Sequence, residues 1–143
     1  MIYISHRGNL TGKSEKDENN PDYLMKAIES GFDVEIDVWF KNDKFYLGHD
    51  KPCFEVDTKF LENPRFWCHA KNINALSELA LINCHYFWHQ EDDFTLTNKG
   101  IIWTYPGKYL TNNSVCVLPE STNVKKFDCL GICSDLIENY KND

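Results

Sequence analysis

Nothing in this chain of 143 residues approaches the ~18 consecutive apolar residues of a membrane-spanning helix. There is no basic cluster beyond Lys125-Lys126, and the formal charge is −7. Such a surface repels nucleic-acid phosphates, so no nucleic-acid partner is expected. No internal repeat, low-complexity tract or linker divides the chain. The N-terminus, Met-Ile-Tyr-Ile-Ser-His, lacks the charged start, apolar stretch and cleavage site of a secretory leader, which predicts a cytoplasmic address. Zinc-ligand spacing is missing too: Cys129 and Cys133 have no matching second pair, and five of the six cysteines lie in or beside apolar runs. Reduced, hydrophobe-like thiols are the expectation.

What remains is a chain with enough apolar residues, 42%, for one sizeable core, read as a single domain over residues 1–143. Short β-branched and aromatic runs predict strands near 2–6, 33–40, 44–48, 66–70, 85–89, 101–105, 115–118 and 130–133. Asn42-Asp43 reads as a hairpin turn. Helical spacing marks Asn20 to Ser30, with Pro21 in the first turn and Gly31 as the stop, and Ile73 to Leu81. Alternating strands and helices at the start predict an α/β fold with parallel pairing, but later segments hardly hold whole helices. The predicted architecture is a reduced (β/α) TIM-like barrel with few or shortened outer helices. Thin outer cover would leave apolar strand surface, which a homodimer could hide. Residues 9–20 are polar and read as a mobile loop.

Three groups of chemically capable residues fall at predicted strand ends: Ser5-His6-Arg7-Gly8, Glu35-Ile36-Asp37 and Gly48-His49-Asp50. Glu35 and Asp37 are two apart, so a strand sends both to one face. At about 4 Å and an effective dielectric near 20, two carboxylates repel by ~4 kcal/mol unless a cation intervenes. Oxygen ligands favour Ca²⁺ or Mg²⁺. The plainer alternative pairs one carboxylate with Arg7 or Lys71. Around them, Trp39 is in phase with Glu35 and Asp37, so Trp39 or Tyr105 could offer a stacking platform, whereas Trp88 and Trp103 read as core filling.

His6-Arg7-Gly8, Glu18-Asn19, Ala27-Ile28 with Gly31, Asp33-Val34-Glu35-Ile36-Asp37-Val38 and Gly48-His49-Asp50 together resemble, in order and spacing, the glycerophosphodiester phosphodiesterase family. The likeness is dense over residues 4–52 and thinner beyond, where Gly131-Ile132-Cys133-Ser134-Asp135 is similar to the family's last strand. The resemblance implies hydrolysis of a small phosphodiester, with His6 and His49 as acid and base and Arg7 on the phosphate. Lys71, Glu18 and Trp39 join the expected substrate side, and the nucleophile can be the substrate's own neighbouring hydroxyl. It also implies a divalent metal on Glu35 and Asp37. The family's third carboxylate is replaced by His69, which softens the site and admits Mn²⁺ or Zn²⁺ beside Ca²⁺ or Mg²⁺; Glu18 or Glu120 could supply the missing oxygen instead. After Asp50 the chain is too short for the family's inserted glycerol-recognition segment. A binding barrel that no longer turns over is the rival expectation.

Overall fold

A computed structural model describes residues 1–142. The sheet begins with β1 (Ile2–His6), β2 (Asp33–Lys41), β3 (Lys44–Leu47), β4 (Phe54–Val56) and β5 (Phe66–Ala70). It continues with β6 (His85–Phe87), β7 (Phe94–Leu96), β8 (Ile102–Thr104), β9 (Ser114–Val117) and β10 (Gly131–Ser134). Helices are few and short: α1 (Pro21–Glu29), α2 (Thr58–Leu61), α3 (Ile73–Leu79) and α4 (Ile137–Asn142).

Parallel pairing runs β6-β5-β2-β1-β10-β9-β8. β7 adds antiparallel to β8, and β3 and β4 form an antiparallel extension of β2. With nine residues, β2 serves two neighbours along one edge, β1 against its first half and β3 against its second. Asn42 and Asp43 turn this hairpin with φ of 53° and 61°, the left-handed pair that a tight two-residue turn needs.

The expectation of a reduced TIM-like barrel is overturned. The sheet is mixed and curled, four short helices replace the alternating outer ring, and β6 and β8 are not paired with each other. The physical reason lies in residues 88–113, which carry no amphipathic helix and fold instead as a hairpin arm. That arm covers the bare edge of β6 with side chains. Asn98 accepts from the Tyr86 N–H at 2.8 Å and donates to the Cys84 carbonyl at 3.0 Å, while the Thr95 hydroxyl donates to the Trp88 carbonyl at 2.7 Å. An edge satisfied in this way needs no further strand.

Alternation on β2 divides the molecule. Val34, Ile36 and Val38 point outward into a core with Leu24 and Ala27 of α1 and Ala75 and Leu79 of α3. Inside the curl, Ile4, Trp67, Phe87, Trp103, Val115 and Cys133 fill the floor. The helices start where their caps dictate: Asn20 accepts from Asp22 N–H, and Asn72 accepts from Ala75 N–H. The predicted thiol state agrees with six free cysteines, four of them buried. No helix among the described residues is long and apolar enough to cross a membrane.

Candidate active site

The carboxyl ends of β1, β5 and β10 meet the middle of β2, and strand register brings the first part of the chemistry together. His6 is the register partner of Glu35, and Asp37 of His69. Beyond β3 the chain turns back so that Gly48 N–H donates to the Asp37 carbonyl at 3.1 Å, which sets His49 beside the carboxylate pair. Gly48 is required there, since a Cβ would lie 2.0 Å from the Lys51 carbonyl oxygen. After β1, Arg7 and Gly8 adopt φ of 57° and 95°, and Asn9 N–H closes the turn onto the His6 carbonyl. The left-handed Arg7 is a local backbone cost held in place by its surroundings. It brings Arg7 Nε 3.0 Å from Asp37 Oδ2 and Nη1 3.3 Å from Glu18 Oε2.

Two imidazoles flank the carboxylate pair. His6 Nε2 lies 3.8 Å from Glu35 Oε2, and His49 Nδ1 lies 3.6 Å from Asp37 Oδ2. His6 is clamped: its Nδ1 stands 2.7 Å from Asp135 Oδ1, so Nδ1–H donates to the carboxylate and Nε2 faces the cavity. Burial alone would pull the His6 pKa down; the Asp135 hydrogen bond and the Glu35 charge outweigh it and leave the shift upward. Burial likewise opposes ionisation of Asp135, and the His6 contact reverses this, holding the carboxyl below its usual range. For Asp37, full burial works against charge, yet the neighbouring His49 and Arg7 keep it well below the carboxylate range.

Glu35 and Asp37 are buried, and one oxygen of each, Glu35 Oε2 and Asp37 Oδ1, has no hydrogen-bond partner among the described residues. Such orphans are costly in a protein interior. The third member is His69. Its Nε2 is 2.8 Å from the His89 carbonyl oxygen, which can only accept, so Nε2 carries the proton. Nδ1 then faces Glu35 Oε1 and Asp37 Oδ1, each at 3.5 Å. Nδ1 is thus the ring nitrogen turned to the carboxylates, where an unprotonated imidazole would join them as a ligand to a cation. Ligand atoms of Glu35, Asp37 and His69 lie within 4.8 Å of one another. The alternatives for a third ligand are otherwise engaged: Glu18 with Arg7 and Asn9, Glu120 with Ser134 and the Asp135 N–H.

A cavity of about 420 Å³ opens over this set, lined on one side by His6, Arg7, Glu35, His49, His69 and Lys71. A second, of about 390 Å³, adjoins it through Arg7 and His49 and includes Glu18. Trp39 does not line either; it donates from Nε1 to the Gly48 carbonyl and so steadies the His49 loop. Residues 9–20, expected to be mobile, are tied in: Asn19 donates to Asp37 Oδ2 and receives Asp37 N–H, both at 2.9 Å. Buried Asn9 donates to Glu18 and Asp135 and accepts from the Tyr23 hydroxyl. Asn9, Asn19 and Asp135 escaped sequence reasoning as site residues. Two of them had a signal: Asn19 belongs to the Glu18-Asn19 element of the family likeness, and Asp135 directly follows the last strand, where such sites are built. No protein-family model matches the chain, and neither curated proteins nor solved structures give a match.

Proposed function

We propose that this protein is a divalent-metal-dependent hydrolase of small phosphodiesters, with His6 and His49 exchanging protons with the reacting oxygens. The observation that carries this reading is the bracketing of the buried Glu35/Asp37 pair by two imidazoles within one cavity. Charge balance supports the metal. Four carboxylates (Glu18, Glu35, Asp37 and Asp135) face two fixed cations, Arg7 and Lys71, a balance that by itself would repel an anionic diester. Glu35, Asp37 and His69 are the residues that would hold the ion. When bound, it would supply Lewis-acid polarisation of a phosphoryl oxygen. The two carboxylates suit Mg²⁺, Ca²⁺ or Mn²⁺, and the His69 nitrogen moves the set toward Mn²⁺ or Zn²⁺.

The chain's own groups supply the rest. Arg7, already oriented by Asp37 and Glu18, presents its remaining guanidinium N–H groups to phosphate oxygens, and Lys71 adds a point charge. One imidazole accepts the proton of the attacking hydroxyl, from water or from the substrate itself; the other donates a proton to the departing alkoxide as the P–O bond breaks. Asp135 keeps His6 in one tautomer and orientation.

Two measurements test this reading. Turnover of bis(p-nitrophenyl) phosphate should require Ca²⁺, Mg²⁺ or Mn²⁺, and His6→Ala and His49→Ala should each lose around 10²–10⁴-fold in kcat while keeping the circular-dichroism spectrum. Full turnover in either variant, or none in wild type with any of these ions, overturns it. In the second, ion at 100 times its Kd should stabilise the wild type by ~2.7 kcal/mol, or roughly 5–10 °C in Tm. Asp37→Asn should abolish that increment.

A further inference from the structure

The cavity has two unlike halves. Beside the charged residues it is lined by Trp88, His89, Trp103, Tyr105 and Pro106, with the His89 carbonyl hydrogen-bonded to His69. Trp88 and His89 follow β6, Trp103 belongs to β8, and Tyr105 and Pro106 follow it; β6 and β8 flank the unpaired interval of the sheet. Resting on the phosphodiesterase reading above, we propose that one alcohol of the substrate carries a planar aromatic ring, aryl or heteroaryl, which stacks on Tyr105 in this half.

Tyr105 is 44% exposed, although the residue before it is buried. Its backbone is fixed on both sides: Tyr105 N–H donates to the Asp93 carbonyl at 2.9 Å, and its own carbonyl accepts from Lys108 N–H at 3.2 Å. Pro106 stiffens the next step. The ring meets His89 at a centroid distance of 5.7 Å with an interplanar angle of 54°. His89 is held in turn by a hydrogen bond from Nε2 to the Asp92 carbonyl. An exposed phenol on a backbone held on both sides, lining the same cavity as Arg7, His6 and His49, offers a stacking surface whose ordering cost the fold has largely met.

Glycerol has no flat face and would leave these rings wet. A ring-bearing alcohol covers them, while its phosphate stays within reach of Arg7, His6 and His49. The exposed Gln90 amide at the rim offers a donor and an acceptor to polar ring edges. The net charge of −7 disfavours a polyanion, which points to a small monoanionic diester over a nucleic-acid strand.

Four diesters sharing one methyl phosphate group separate the sources: adenosine 5′-(methyl phosphate), methyl phenyl phosphate, glycerol 3-(methyl phosphate) and choline methyl phosphate. With the activating metal, kcat/KM for at least one ring-bearing diester should exceed that for the glycerol diester by ~10-fold, the typical gain from one ring stack. Tyr105→Leu should bring that ratio close to one with the glycerol value unchanged, and Tyr105→Phe should retain it. Adenosine ahead of phenyl identifies a heteroaryl alcohol, and the reverse an aryl one. A glycerol or choline diester as the best substrate, or a ratio untouched by Tyr105→Leu, overturns the inference. If none of the four is turned over, the hydrolase reading fails separately. Calorimetric binding of the same diesters to wild type and Tyr105→Leu then decides the ring subsite, with equal affinities sinking it.

Discussion

At the scale of single residues, the site depends on side chains that never face the cavity. Asp135 illustrates this. It accepts from His6 Nδ1–H and from Asn9, and its own N–H is anchored on Glu120. Asp135→Asn keeps the shape but offers an amide that can present an N–H to His6, favouring the wrong tautomer. The expected outcome is a fall in kcat on the order of 10²-fold with KM nearly unchanged, read from steady-state kinetics. An equal rise in KM would show that Asp135 shapes binding instead. Gly8 makes a complementary point, since a Cβ there would lie 2.5 Å from the Tyr23 ring, and Tyr23 holds Asn9.

At the scale of elements, strand register does most of the assembly. Because β1, β2 and β5 run parallel and in step, His6 sits beside Glu35 and Asp37 beside His69. The turn joining β7 to β8 does a different job, closing the β6 edge through Asn98. Asn98→Ala removes both side-chain hydrogen bonds and leaves Tyr86 N–H and the Cys84 carbonyl to water. A loss of about 1–2 kcal/mol in urea-induced unfolding follows, since each bond contributes ~0.5–1.5 kcal/mol. Unchanged stability would mean that the arm is ornamental to the edge. The same view explains what the sequence hid. β4 and β7 are strands of only three residues, and α2 is four residues long. Elements this short are held by tertiary pairing and carry too little periodicity to read.

Across the whole molecule, acid stability should report on His85. The ring is buried, with Nε2 2.8 Å from Thr97 Oγ1, and burial, with help from Lys99, pulls its pKa down to about 4. Above a pH of ~6.5 both folded and unfolded chains hold a neutral imidazole, so the group contributes no pH dependence. Between that pH and about 4 the unfolded chain takes up a proton that the native state refuses, and stability falls as pH falls. His85→Gln should flatten this part of the profile by on the order of 1–2 kcal/mol between pH 7 and 4.5, measured by urea denaturation. An identical slope in both proteins would show that other groups dominate.

The amino-acid order alone determined the local facts: which face of β2 bears Glu35 and Asp37, where α1 and α3 begin, the Asn42-Asp43 turn, and the strand-end placement of His6 and His49. Those are set by periods of 2.0 and 3.6 residues and by capping and turn chemistry within a few positions. Tertiary structure decided the rest. The open, mixed sheet in place of a barrel follows from an edge satisfied by the distant Asn98. The choice of His69 over Glu18 and Glu120 beside the carboxylates follows from which partners each side chain finds across the fold. Such outcomes depend on competition among groups far apart in the chain, and no local pattern encodes who wins it.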